Sequence, residues 1–175
     1  LINQVLDLAK LEAGAADWRT DEVDLCALIE DALTSTSQII RDKRIVVNLD
    51  LPDKVPLLIV DQDRITQVLL NLLSNAMKFC DVERGVIQVT LLPLRDALQV
   101  SIQDNGPGIS PQEQRTIFDK FRQVHDRRNG KPQGTGLGLP ISMQIISYYG
   151  GKLWVESQPG QGATFLFTLP LDGVN

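Results

Sequence analysis

The 175-residue chain predicts an α+β fold, a two-layer sandwich with about three helices on one face of a mixed, mostly antiparallel sheet. Three observations carry this expectation. Short β-branched segments alternate with amphipathic segments of helical period. Two pairs of strand-like segments are separated only by turn residues, Arg95-Asp96 and Gln158-Pro159-Gly160-Gln161-Gly162, as in antiparallel hairpins. Helical segments are few, and a sheet face needs helices to cover it.

The elements follow in order. Leu1, Ile2, Val5, Leu6, Leu8 and Leu11 recur every three to four residues, and Gly14 stops the pattern as a C-terminal glycine does. This stripe has nothing local to pack on, which predicts the end of a longer helix; an ordinary first helix is the alternative. Residues 21–24 read as a short strand, and Leu25 to Arg41 as one amphipathic helix. Arg44 to Asp50 is strand-like, and Leu57 to Val60 is a short buried strand. Asp61 or Asp63 then caps a strong helix to Phe79. Val86 to Leu94 and Ala97 to Gln103 form a hairpin. From Asn105 to Gly136 the chain is rich in Gly, Pro and charge, with one short helix at Pro111 to Ile117. A helix over Leu137 to Tyr149 and strands at Lys152 to Ser157 and Ala163 to Leu169 close the chain.

Composition excludes several classes. With 43% hydrophobic residues the chain is too apolar for disorder. No apolar run approaches the roughly 18 residues of a membrane span. The net charge of −5, from 17 basic and 22 acidic residues, argues against nucleic acid as a partner and suits a cytoplasmic domain. Cys26 and Cys80 are isolated thiols, read as small core residues. With His125 as the one histidine, no metal cage of the His/Cys type is supported.

Three features carry chemistry. On the helix from Asp61 to Phe79, a broad apolar arc leaves only a narrow polar stripe of Arg64, Gln67, Asn71, Asn75 and Lys78. A solvated face is usually wider and built from Glu, Lys and Gln. Asn inside a helix costs up to about 0.7 kcal/mol against Ala. Amide oxygens can ligate a hard cation such as Mg²⁺, and an ammonium can meet phosphate. The second feature is Asp104-Asn105-Gly106-Pro107-Gly108-Ile109, directly after a strand. Alone it is a good turn; functionally, its carboxylate can accept from an exocyclic amine while the glycines let backbone pass close to a flat ring. The third is Gly134-Thr135-Gly136-Leu137-Gly138-Leu139, running into a helix. It frees backbone N–H groups at a helix N-terminus, where phosphate is favoured. It is neither a Walker A loop nor a dinucleotide fingerprint. Phe118, Phe121, Arg122, Arg127, Arg128 and Lys131 lie between the last two features, in a stretch long enough to act as a lid.

In this order the motifs resemble the catalytic ATP-binding domain of sensor histidine kinases, of the GHKL superfamily with its Bergerat-type fold. Asn71 to Phe79 resembles the N box, DNGPGI the G1 box, Phe118 to Phe121 the F box, GTGLGL the G2 box, and Gly162 to Pro170 the closing strand. Residues 1–14 resemble the end of the dimerisation and phosphoacceptor helix, and residues 15–175 the catalytic domain, its lid at about 105–136. The resemblance implies ATP and Mg²⁺ as ligands. Asn75 would be the main Mg²⁺ ligand with Asn71 assisting, and Lys78 would contact phosphate; Asn71 and Lys78 are the catalytic candidates. Phe79 would border the nucleotide. Asp104 would read the adenine amine, with Thr164 acting through water. Gly106, Gly108 and Ile109 would shape the base pocket. Phe121 and Arg122 would stand at the lid, and Gly134, Thr135, Gly136, Leu137, Gly138 and Leu139 would hold the phosphates.

Hydrolytic members of the superfamily carry Glu where Asn71 stands, and Asn cannot act as a base. The expected activity is therefore phosphoryl transfer to a histidine upstream of Leu1, for relay to a response-regulator receiver domain. His125 is not read as that acceptor, so the fragment alone is not expected to autophosphorylate. The implied partners are that upstream histidine-acceptor domain and the receiver domain, with no nucleic acid and no membrane contact. The alternative is a degenerate, nucleotide-sensing or interaction module of the same fold.

Overall fold

The computed structural model describes residues 1–123 and 134–172. Its elements are α1 (Ile2–Glu12), β1 (Thr20–Val23), α2 (Leu25–Ser35), α3 (Ser37–Asp42), β2 (Val46–Asp50), β3 (Leu58–Asp61), α4 (Gln62–Phe79), β4 (Val86–Pro93), β5 (Ala97–Asp104), α5 (Pro111–Gln114), α6 (Gly138–Tyr148), β6 (Leu153–Ser157) and β7 (Ala163–Pro170).

Five strands form one mixed sheet in the order β2-β4-β5-β7-β6. Only the β2–β4 pair is parallel; the other three are antiparallel. A second, two-stranded antiparallel sheet pairs β1 with β3. Alternation along the strands puts Ile87, Val89, Leu98, Val100, Ile102, Phe165 and Phe167 on the inner face, where all are buried. Against them lie α4 and α6, with α2 on α4 and α1 on α6. Ile65, Leu69, Leu72, Leu73, Ile141 and Ile145 complete one continuous core. Among the described residues no helix is long and apolar enough to cross a membrane. Both thiols are free; Cys26 is half-buried and Cys80 buried.

Asp61 sets the start of α4. Its Oδ1 accepts the Arg64 N–H at 3.1 Å as N-cap, and its Oδ2 accepts the Arg19 N–H at 2.8 Å. The Asp61 N–H in turn donates to the Tyr149 hydroxyl at 2.7 Å, which ties β3 to the end of α6. Trp18 stacks on Tyr148 with ring centroids 3.7 Å apart and sits edge-on to Tyr149, fastening the segment after α1 to the same corner.

Three expectations change. The helix expected over Leu25 to Arg41 is broken at Thr36. Thr34, Ser35 and Thr36 each turn a hydroxyl back to a carbonyl one turn earlier, and the chain restarts as α3. The strand expected from Arg44 begins at Val46, because Arg44 adopts a left-handed φ of 54° that closes α3. Finally, the α1 stripe does have local support. Leu8 is 5% exposed and Leu11 packs on the core, while Leu1, Ile2, Val5 and Leu6 stay exposed. Asp7 accepts from Arg64 at 2.7 Å and from Gln67 at 3.0 Å, and Glu12 pairs with Lys120 at 2.7 Å. Gly14, at φ 66°, ends α1 as expected: the Ala15 N–H returns to the Lys10 carbonyl at 2.9 Å.

Candidate functional site

The site grows from the polar stripe of α4. Successive members sit three or four residues apart and so share one helical face. The stripe divides into two uses. Arg64 and Gln67 are taken up by Asp7 of α1. Asn71, Asn75 and Lys78, with Ser74, instead form one wall of a cavity of about 680 Å³. That volume falls within the ordinary range for small-molecule sites.

A second wall comes from the end of β5 and the loop after it. Asp104 is 5% exposed. Its carboxylate accepts the Gly106 N–H at 2.8 Å and the Ala163 N–H. Burial pushes its pKa up, and the two backbone donors only partly offset this. The loop is fixed at both sides. Asn105 accepts from the N–H groups of Asp81 and Val86 and donates to the Arg84 carbonyl, clamping the segment that leaves α4. The Ile109 N–H donates to Ser157 Oγ at 2.8 Å, which itself donates to the Gly162 carbonyl. Gly106 and Gly108 are required by close approach: a Cβ on Gly106 would overlap the Phe79 carbonyl, and one on Gly108 the Gln158 carbonyl. Gly108 also holds a φ of 75°, which favours glycine.

The third wall is the loop before α6. Gly134, Thr135, Gly136, Gly138 and Leu139 line the cavity. Phe121 pins this loop by donating its N–H to the Gly136 carbonyl at 3.0 Å, and Gln123 donates to the Gly134 carbonyl at 2.7 Å. A Cβ on Gly134 would lie 3.8 Å from Lys78 Nζ, so the ammonium lies close against this loop. Below it, α5 is held by a capping box in which Ser110 and Glu113 satisfy each other's backbone donors. The short helix expected to reach Ile117 stops at Gln114 and continues as turns, with Ile117 buried beneath the cavity.

Of the residues singled out in the sequence, Asn71, Asn75, Lys78, Phe79, Asp104, Gly108, Ile109, Arg122, Gly134, Thr135, Gly136, Gly138 and Leu139 surround one space. Four stand outside it. Thr164 faces away, because alternation along β7 turns its neighbours Ala163 and Phe165 to the cavity instead; the backbone N–H of Ala163, not the Thr164 hydroxyl, reaches Asp104. Leu137 is fully buried in the core, and its N–H is taken by Thr135 Oγ1. Phe121 is 61% exposed and serves through its backbone. Gly106 lies behind the wall, against Phe79. Residues His125, Arg127, Arg128 and Lys131, with the middle of the expected lid, lie outside the described residues. Gln4, Glu113 and Phe165 are among the lining residues that sequence reasoning missed. The period-2 pattern of β7 carried the signal for Phe165; nothing local carried one for Gln4.

The model of the histidine kinase-, DNA gyrase B- and HSP90-like ATPase family matches residues 60–173. The chain belongs to this family. Within it, the resemblance is to histidine kinases. The adaptive-response sensory kinase SasA of Prochlorococcus marinus is 34% identical over 97% of this chain and 46% of its own length. The sensor histidine kinase GacS of Pseudomonas protegens is 37% identical over 98% of this chain and 19% of its own. The chain thus spans less than half the length of these relatives. Among solved structures, the catalytic domain of histidine kinase ThkA superposes with a TM-score of 0.77 at 31% identity, covering 87% of this chain and 96% of that one. Full-length ShkA, solved in complex with AMPPNP, superposes with a TM-score of 0.84 at 30% identity, over 99% of this chain and 35% of that one. The chain is an ATP-binding domain of the histidine kinase type, and the GHKL resemblance drawn from its four boxes holds.

Proposed function

We propose that this domain binds ATP with Mg²⁺ and presents the γ-phosphate to a histidine on another segment of the same protein or of its dimer mate, for relay to a response-regulator aspartate. The observation that carries this reading is one cavity lined by two chemically distinct sets of groups. One set offers amide oxygens and an ammonium, Asn71, Asn75 and Lys78; the other offers a buried carboxylate, Asp104. Asp104 accepts the adenine amine, and Gly108 and Ile109 lie along the ring. The glycines from Gly134 to Gly138 give the phosphates backbone donors, and Lys78 and Arg122 offset their charge.

The donor set suits Mg²⁺ only in company. Among the described residues no three His, Cys, Asp or Glu side chains gather to hold a metal. Two neutral amides leave most of a hard octahedral ion's coordination to phosphate oxygens and water, as is usual for Mg²⁺ on nucleotides. Asn75 and Asn71 would hold it, and its chemistry there is neutralisation of phosphate charge. With Asn71 where a base would stand, these residues position the phosphate and leave water unactivated.

ThkA has been solved in complex with the response regulator protein TrrA, and that structure covers 97% of this chain with a TM-score of 0.74. It supports a receiver domain as partner here. Titration calorimetry with Mg²⁺ and a non-hydrolysable ATP analogue tests the site. Micromolar to sub-millimolar binding is expected, with at least a tenfold loss in Asn75→Ala and in Asp104→Ala. No binding by the unaltered chain would hand the lead to a module of the same fold without nucleotide chemistry.

A further inference from the structure

One buried hydroxyl has no part in the reading above. Ser142, on α6, is 0% exposed, one of few polar side chains in the core. Its Oγ accepts a hydrogen bond from Asn71 Nδ2 at 2.9 Å, across 71 residues of sequence. Gly138 lies one helical turn before Ser142, so the two share the α6 face that packs on α4. A Cβ on Gly138 would overlap Asn71 Oδ1, and Gly138 does not hold a left-handed φ. The glycine is needed there for clearance. The Asn71 amide is therefore anchored at its NH₂ by Ser142, with its oxygen beside the bare backbone of Gly138, itself a cavity wall.

We propose that Ser142 is a positioning residue for the Asn71 amide: its hydroxyl holds Nδ2 and so keeps Oδ1 turned to the cavity as an oxygen donor for the nucleotide-bound cation. A free asparagine amide presents either O or NH₂ at little difference in energy. An NH₂ presented to a cation would be repulsive, so an amide without its anchor must be turned and held in place as the cation binds, which weakens its hold. The same contact links the loop before α6 to α4, so the phosphate-side backbone and the amide are set together. This inference rests on the nucleotide reading for its consequence, but the Ser142–Asn71 contact can be tested without any ligand.

The test has two arms on the full chain, comparing the unaltered protein with Ser142→Ala, Asn71→Ala and the double variant. The first arm follows the Asn71 side-chain NH₂ resonance pair by ¹⁵N–¹H NMR, identified by its absence in Asn71→Ala. It should move and exchange faster with solvent in Ser142→Ala. The second measures AMPPNP binding with and without Mg²⁺. Ser142→Ala should bind the metal-free nucleotide as the unaltered chain does and lose about three- to tenfold with Mg²⁺, the worth of one hydrogen bond. The double variant should lose no more than Asn71→Ala alone. Additive losses, or an unmoved NH₂ pair, would overturn the proposal, as would a fall in melting temperature with both readouts unchanged, which marks a merely structural serine. If Ser142→Ala does not fold, Ser142→Cys keeps the volume and weakens the acceptor, with the same expected and overturning results. If the unaltered chain binds no nucleotide, the functional reading fails while the NMR arm still decides the contact.

Discussion

Asp104 is a carboxylate whose surroundings favour its neutral form, yet an amine donor wants it ionised. Its pKa is raised from the ordinary 3.8 by burial. The folded chain thus binds this proton more tightly than the unfolded one, so stability falls as pH rises from about 3.8 through the folded-state pKa. Asp104→Asn removes the charge. Its stability relative to the unaltered chain should rise over that interval and level off above it, as denaturant titrations at several pH values would read. Nucleotide affinity should behave oppositely. In the unaltered chain it falls as pH drops through the raised pKa; in Asp104→Asn that acid limb is gone and affinity is low throughout. Tyr149 works at the alkaline end. Burial pushes its phenol up to about 12, and its oxygen accepts the Asp61 N–H at 2.7 Å. A raised phenol pKa means that stability is lost as pH climbs from about 10 to about 12. Tyr149→Phe should abolish that alkaline loss and cost about 1–3 kcal/mol at neutral pH, because it removes a buried hydrogen bond to the Asp61 N–H.

Elements were readable where one local signal dominated. α4 announces itself by the Asp61 cap, a consistent apolar arc and the absence of breakers, and it runs from Gln62 to Phe79 as expected. The hairpin β4–β5 follows from alternation and a two-residue polar connection. Where two local forces compete, the sequence misleads. The apolar period through residues 25–41 continues across Thr36, so a pattern reading joins α2 and α3; the three consecutive hydroxyls that bond back to the helix decide otherwise. Thr164 shows the same limit at a finer grain. The family resemblance drew attention to it, but strand parity governs which side chain reaches the cavity, and parity selects Ala163 and Phe165. The motif glycines could be recognised as a loop, whereas the reason for Gly138 could not. It lies in a side chain of another helix, visible only once α4 and α6 are packed.

At the scale of the molecule, the cavity draws its walls from α4, the end of β5, the loop before α6 and the start of β7. No stretch of sequence contains it, and its residues were legible only as ordered motifs, not as a volume. α1 adds a wall that no motif announced. Gln4 lines the cavity, and three residues on Asp7 fastens α1 to Arg64 and Gln67, on the same helical face that supplies Asn71 and Asn75. The Arg64–Asp7 pair is only partly exposed, with side-chain accessibilities of 20% and 21%, so it is better shielded than a surface pair. Asp7→Ala should loosen α1, read as faster amide exchange over residues 2–12, and should change nucleotide affinity although Asp7 does not line the cavity.

That shared face makes the seating of α1 and the filling of the cavity a single linked equilibrium. A ligand that touches Gln4 binds more tightly to the seated arrangement, and by reciprocity it strengthens the seating by the same factor. On the proposed nucleotide reading, a load placed on the exposed Leu1, Ile2, Val5 and Leu6 would therefore change nucleotide affinity, and bound nucleotide would resist that load by the same factor. Asp7 would then be the joint of a two-way transducer, with the polar stripe of α4 as its common lever.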